Sequence, residues 1–252
     1  MSNQLIETDL RLFDMDGTIV NTIEASERAW QKLCSKCNVD PEELFKHSHG
    51  VRSQDIIASF FPLIDNTDNK ASNALEKDMA DNYLSIVKLV KGSDDLLLSL
   101  DRDPMEPSVN FRITNNRKWA IFTGGNPYIA HSWFRNVLKH VGEPQVFITA
   151  TDVTEGKPSP EGYLISRDKL CKELNLHNPC RSVVFEDTTA GVKAGKAMND
   201  TIVVAATTTM SVDKLYDAGA DWVVDDLSHI SVTSNPSRGP IYLKIDDILP
   251  RN

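Results

Sequence analysis

Two carboxylates with one residue between them are the sharpest chemical feature of this chain: Phe13-Asp14-Met15-Asp16-Gly17-Thr18. An aspartate is a competent nucleophile towards phosphorus, and an acyl phosphate formed on it divides one difficult transfer into two easier steps. The second carboxylate can protonate a leaving alcohol and later take the proton of an attacking water. Gly17 permits the tight turn this needs, and Thr18 can fix the loop through backbone hydrogen bonds. The competing reading is a polar strand-end turn without chemistry. Asp-x-Asp-Gly-Thr fixes four positions, which chance supplies in on the order of one chain in a few hundred of this length.

Something rigid must present these acids. Residues 10–14 read as a strand ending at Asp14, and in open α/β sheets ligands bind beyond the carboxyl ends of the strands. Further strands are expected at 118–122, 146–148, 182–186, 201–205 and 221–224, most followed by a turn and a helix-period segment. That alternation predicts an α/β fold with a parallel sheet. From residue 22 to 89 only helical patterning is visible, at 24–36, 53–61 and 69–89. This predicts an all-α unit inserted after the first strand: residues 1–20 and 90–252 form the α/β core, and 21–89 a helical cap. A crossover helix is expected at 94–100, surface loops at 101–116 and 234–240, and an edge strand at 241–245.

Composition narrows the partners. The 252 residues carry 27 basic and 36 acidic side chains, a net charge of −9 with histidine neutral. That balance and the lack of a basic run argue against nucleic acid, whose binding draws on Lys and Arg. Apolar runs such as 202–206 fall far short of the roughly 20 residues that cross a bilayer. Residues 1–9 are polar with two acids, so no leader is read and a cytoplasmic location is expected. Cys34 and Cys37 form a C-x-x-C, but they lie in an amphipathic run with Trp30 and Leu33, and Cys171 and Cys180 lack the matching spacing. Core packing is the better reading than zinc or redox chemistry. Nothing suggests a coiled coil or an obligate apolar interface, so a monomer is expected.

Asp14 to Thr18 resembles the first motif of the haloacid-dehalogenase-like (HAD) phosphohydrolases, and the other motifs follow in order along the chain. Thr123 matches the second motif, a hydroxyl that binds the phosphoryl group. Lys157, in Gly156-Lys157-Pro158, matches the third, and Glu186 with Asp187 matches the fourth, the acids that hold Mg²⁺. The resemblance implies a Rossmann-like core with a small helical cap and Mg²⁺ as cofactor. Asp14, Asp16, Thr123 and Lys157 are then catalytic, and Asp14, Asp16, Asp187 and Glu186 hold the metal. Thr123, Lys157 and the backbone N–H of Gly124 cradle the phosphate. Alone, Lys157 would read as a solvated charge, Thr123 as a strand-end hydroxyl and Glu186-Asp187 as a helix N-cap pair. Their joint order decides otherwise.

Over nearly its whole length the chain is similar to the yeast 2-deoxyglucose-6-phosphate phosphatases, with the glycerol-3-phosphate phosphatases as a sister group. Val39 to Gly50, Lys118-Trp119-Ala120-Ile121 and Ala218-Gly219-Ala220-Asp221 are among the residues carrying this. It implies a phosphatase for small sugar or polyol phosphomonoesters, with His49 and Arg52 as cap contacts to substrate. A guanidinium fork suits oxyanions and hydroxyls, whereas a histidine beside a glycine turn is more often structural. There are departures. Gly124-Gly125-Asn126 follows Thr123 where a small hydroxyl or amide residue is common, and Thr188-Thr189 replaces a small residue and proline. Asn199 stands where glycine often closes a helix, a left-handed position open to Asn. Two other readings use the same residues: a hexose phosphomutase, which needs a second phosphate site in the cap, and a non-catalytic regulatory protein of the same fold. Dehalogenation has no use for Asp16.

Overall fold

A computed structural model describes residues 2–176 and 180–251. The chain opens with β1 (Ser2–Thr8), β2 (Leu10–Phe13) and β3 (Val20–Asn21). Four helices follow, α1 (Ile23–Cys37), α2 (Pro41–Ser48), α3 (Ser53–Phe60) and α4 (Lys70–Asn82), and then β4 (Lys88–Leu89). Next come α5 (Ser93–Ser99), α6 (Phe111–Thr114), β5 (Trp119–Phe122), α7 (Pro127–Asn136), β6 (Phe147–Ile148) and α8 (Glu161–Glu173). The chain continues through β7 (Ser182–Glu186), α9 (Thr189–Lys196), β8 (Thr201–Ala206), α10 (Val212–Ala218) and β9 (Trp222–Val224), then β10 (Ile230–Ser234) and β11 (Ile241–Ile248).

The main sheet runs β6-β5-β2-β7-β8-β9 with every pair parallel, as the sequence predicts. Its chain order reverses at β2, so the crevice at that strand's carboxyl end is where a doubly wound sheet binds ligands. Helices cover both faces, which is why the strands are mostly apolar without alternation, the buried Arg11 of β2 being an exception. Leu12, Ala120, Val184 and Val203 pack under α8, α9 and α10. Phe13, Ile121, Phe185 and Val204 pack on the other face with α5 and α7, in one core with Trp30, Leu44, Ile57 and Leu75 of the helical unit. Phe13 stacks on Phe185 at 4.5 Å between ring centres and meets the edge of Trp119 at 6.2 Å, which fixes the strand carrying Asp14.

The helices between β3 and β4 form because each has an apolar stripe and a stop. In α1 the stripe is Ala25, Ala29, Trp30 and Cys34, and Asn38 ends it in the left-handed conformation at φ 55°. Cys34 lies in that stripe and Cys37 is exposed. Helix α2 was not read from the sequence, although Asp40-Pro41-Glu42 is a start signal: Asp40 accepts the Glu42 N–H at 3.0 Å, with Pro41 in the first turn.

Other expectations need correction. Segment 69–89 is not one helix: α4 stops at Asn82, and Lys88–Leu89 pairs antiparallel with Val20–Asn21. A strand therefore does lie in 22–89, as half of a two-strand ribbon through which the chain enters and leaves the helical unit. Residues 241–245 are not an edge of the main sheet. They belong to β11, the centre of a separate antiparallel sheet, β1-β11-β10, whose outer strand β1 the polar N-terminus concealed. The loop 101–116 holds the short helix α6, anchored by buried Phe111. The left-handed residue after α9 is Asp200, at φ 55°, not Asn199. No described helix is long and apolar enough to cross a membrane.

Candidate active site

Three neighbouring strands bring the acids together. β2 ends into Asp14, β5 into Thr123, and β7 carries Glu186 and then Asp187; all four are buried. The loop before α8 inserts Lys157, itself 3% exposed. Its ammonium donates to Asp14 Oδ1 and, at 2.6 Å, to Glu186 Oε1. The rings of Phe122 and Tyr163 lie 5.1 and 5.3 Å from it. Burial alone would lower the Lys157 pKa, but the Asp14 and Glu186 carboxylates outweigh it and raise the value, so the lysine is a fixed cation.

Asp14 is different on its two sides. Oδ1 accepts from Lys157, while Oδ2 is buried with no hydrogen-bond partner in the structure. Burial raises its pKa well above the carboxylate range, opposed by Lys157 and reinforced by Glu186, Asp187 and Asp16. Asp187 is pushed up to about 7 by burial and by Glu186, against the Thr209 hydroxyl, Lys157 and the Thr18 hydroxyl. Thr209 Oγ1 donates to its Oδ2, and Thr18 Oγ1 donates to Oδ1 at 3.1 Å. Gly17 is required here: its φ is +94°, and a Cβ would lie 2.0 Å from Asp187 Oδ2.

Oxygens of Asp14, Glu186 and Asp187 all lie within 4.8 Å of one another. With Asp16 that makes four crowded carboxylates against one ammonium, an orphaned oxygen on Asp14, and an all-oxygen donor set. Those are the properties of a site for a hard divalent cation. Glu186 has the least capacity left. Its Oε1 accepts from Lys157 and from Tyr163 at 2.7 Å, and its Oε2 from the Asp187 N–H, the Thr188 N–H and the Thr188 hydroxyl.

Asp16 faces the cavity above. Its Oδ1 accepts from Thr22 at 3.1 Å and Trp133 Nε1 at 3.0 Å, and its Oδ2 from Thr123 at 2.8 Å. Burial raises its pKa, and these three donors pull against that shift. Thr123 also accepts the Gly125 N–H at 3.0 Å, so its hydroxyl is turned towards Asp16.

Asp14, Asp16, His49, Gly124, Thr188, Thr209, Glu76 and Trp133 are among the residues that line the cavity. Arg52 is not. It is buried at the seam between the helical unit and the core, its Nε and Nη2 donating to Asp55 at 2.8 and 3.1 Å and its Nη1 to the Val153 carbonyl at 3.2 Å. The predicted substrate contact is thus occupied by protein partners. His49 lies at the end of α2 with Nε2 4.0 Å from Glu27, its pKa lowered by burial.

Sequence reasoning missed Tyr163, Thr209, Trp133 and Glu76. Two left a signal: Thr209 ends a Thr207-Thr208-Thr209 run just beyond β8, and Glu76 is an acid inside the apolar stripe of α4. Trp133 reads only as a core residue of α7.

Residues 8–199 match the family described as haloacid dehalogenase-like hydrolase. A Saccharomyces cerevisiae protein named 2-deoxyglucose-6-phosphate phosphatase 2 is 53% identical over 246 residues, covering 97% of this chain and 98% of its own. Glycerol-1-phosphate phosphohydrolase 1 of the same yeast is 36% identical over 248 residues, covering 97% and 93%. Among solved structures, a HAD hydrolase, family IA, variant 3, from Entamoeba histolytica superposes with a TM-score of 0.69 at 20% identity over 88% of this chain and 95% of its own; it shares the fold.

Proposed function

This chain belongs to the haloacid dehalogenase-like hydrolases, and from that premise we propose that it hydrolyses small sugar or polyol phosphomonoesters through a covalent aspartyl-phosphate. One observation carries the reading: Asp14 holds one oxygen on Lys157 and leaves the other unpartnered and buried beside a cavity that a second acid, Asp16, also faces. The similarity to a named 2-deoxyglucose-6-phosphate phosphatase and a glycerol-1-phosphate phosphohydrolase supports that substrate class.

Asp14 Oδ2 attacks phosphorus, and the bond from phosphorus to the alcohol oxygen breaks as Asp16 hands that oxygen its proton. Asp16 then removes a proton from water, whose oxygen attacks the aspartyl-phosphate and releases inorganic phosphate and free Asp14. Lys157 neutralises charge on Asp14 and the phosphoryl oxygens, the N–H of Gly124 in the cavity wall would serve those oxygens as a donor, and the Thr123 hydroxyl acts through Asp16, to which it donates. The acids fit Mg²⁺, which Asp14, the Asp16 carbonyl and Asp187 would hold, with Glu186 adding charge and orienting Lys157. When bound, the ion supplies compensation for the phosphate dianion.

Residues 21–89 act as the cap in this reading, supported by the Val20–Asn21 and Lys88–Leu89 ribbon at its root. We place the enzyme in the cytoplasm as a monomer; four cysteines in 252 residues, too few for a disulfide-built fold, support a reducing compartment. The test is phosphate release from a panel of hexose, pentose and polyol phosphates with and without EDTA. Release abolished by EDTA and restored by Mg²⁺ is expected. Release that is indifferent to EDTA, or absent throughout, contradicts the proposal.

A further inference from the structure

The cavity changes character where it enters the helical unit. Ser26, Ser53, His49 and Glu76 supply its polar atoms there, and Trp30 and Met79 its apolar wall. No Lys or Arg lines it among the described residues. Glu76 is the singular member. It stands on the inward stripe of α4 with Ser72, Leu75, Met79 and Ala80 and is 4% exposed, so it is no solvated surface charge. Its partners are the Asn126 N–H, which donates to Oε2 at 2.7 Å, and Ser53; neither is a cation. Burying a carboxylate without a cation is costly, and a neutral acceptor would serve the Asn126 N–H as well.

A carboxylate has about four lone-pair positions, so two donors leave capacity on the side facing the cavity. Such a group attracts hydroxyls and repels anions. We infer that Glu76 reads hydroxyl groups on the substrate's carbon skeleton, selecting phosphomonoesters with an uncharged polyol or sugar body over those carrying a second phosphate or a carboxylate. The inference rests on the hydrolase reading above. Asp16, which faces the leaving oxygen, is close enough for its charge to act on Glu76, so both acids serve one small ligand. Burial pushes the Glu76 pKa up to about 7, and either form serves: the carboxylate accepts from a hydroxyl, and the acid can donate to one. Trp30 and Met79 match the C–H face of the same skeleton. The lack of a basic side chain also disfavours a mutase, which must hold a second phosphate here.

Glu76→Gln isolates the charge, because the amide oxygen can still accept the Asn126 N–H. Three substrates are compared by kcat/KM in wild type and variant: glucose 6-phosphate, glucose 1,6-bisphosphate and phenyl phosphate, which has no hydroxyl. Wild type is expected to prefer the monophosphate over the bisphosphate at least about tenfold, and the variant to lose most of that preference. The ratio of glucose 6-phosphate to phenyl phosphate is expected to fall about fivefold in the variant, as a charge-assisted hydrogen bond gives way to a neutral one. A purely structural role for Glu76 would move neither ratio. Phenyl phosphate hydrolysis with both ratios unchanged overturns this inference alone. No phosphate from any of the three or from the panel of hexose, pentose and polyol phosphates overturns the hydrolase reading, and this inference with it.

Discussion

Trp133 Nε1 donates to Asp16 Oδ1 at 3.0 Å, sharing that oxygen with the Thr22 hydroxyl. The indole is fully buried, so it holds the carboxylate at a fixed angle and favours its ionised form. Trp133→Phe keeps most of the ring and removes the donor. The Asp16 pKa, already raised by burial, then rises further. The account predicts a kcat at neutral pH lower by roughly tenfold or more, and a shift to higher pH of the limb that Asp16 contributes to the pH–rate profile. A profile that superposes on wild type would show that Trp133 only fills space.

Arg52 is predicted to act on stability. Its side chain is 8% exposed and fully engaged, although its partner Asp55 is 40% exposed, which weakens the ion pair. Arg52→Ala removes packing and the bond to the Val153 carbonyl, and should cost about 1–3 kcal/mol in urea denaturation. If Arg52 instead bound substrate, KM would rise while the urea midpoint stayed in place.

Glu76 links stability to pH. Its folded pKa is about 7 against an ordinary 4.5. Between those values the folded protein binds a proton that the unfolded chain has lost, so this group makes stability fall as pH rises and destabilises fully above about pH 7. Glu76→Gln should therefore melt higher than wild type at pH 8, by at most about 3 kcal/mol, with the difference vanishing near pH 4.5. Thermal unfolding at the two pH values checks it; a variant less stable at pH 8 contradicts the assignment.

The parts legible beforehand were those written in local runs. β2, β5 and β7 are buried on both faces, so each shows as a short apolar run ending in a polar group, broken only by Arg11 in β2, and the acids at those ends were visible with them. Pairings between distant short segments were not. Val20–Asn21 and Lys88–Leu89 are too short to have a period, and β1 is a strand only because β11 supplies its partner. Thr209 reaches Asp187 from beyond β8, a proximity that only the strand order creates. The Arg52–Asp55 pair was legible in part, since Asp55 stands three residues on, within reach of the guanidinium fork.

The central claim is that Asp14 is the nucleophile, and replacing it tests that most directly. Asp14→Asn keeps the volume and can still accept from Lys157, but the amide cannot form the acyl phosphate. Phosphate release from the best substrate of the panel, with Mg²⁺ present, should fall by about a thousandfold or more while the melting temperature stays near or above that of wild type. A purified Asp14→Asn protein that releases phosphate at the wild-type rate would contradict the account.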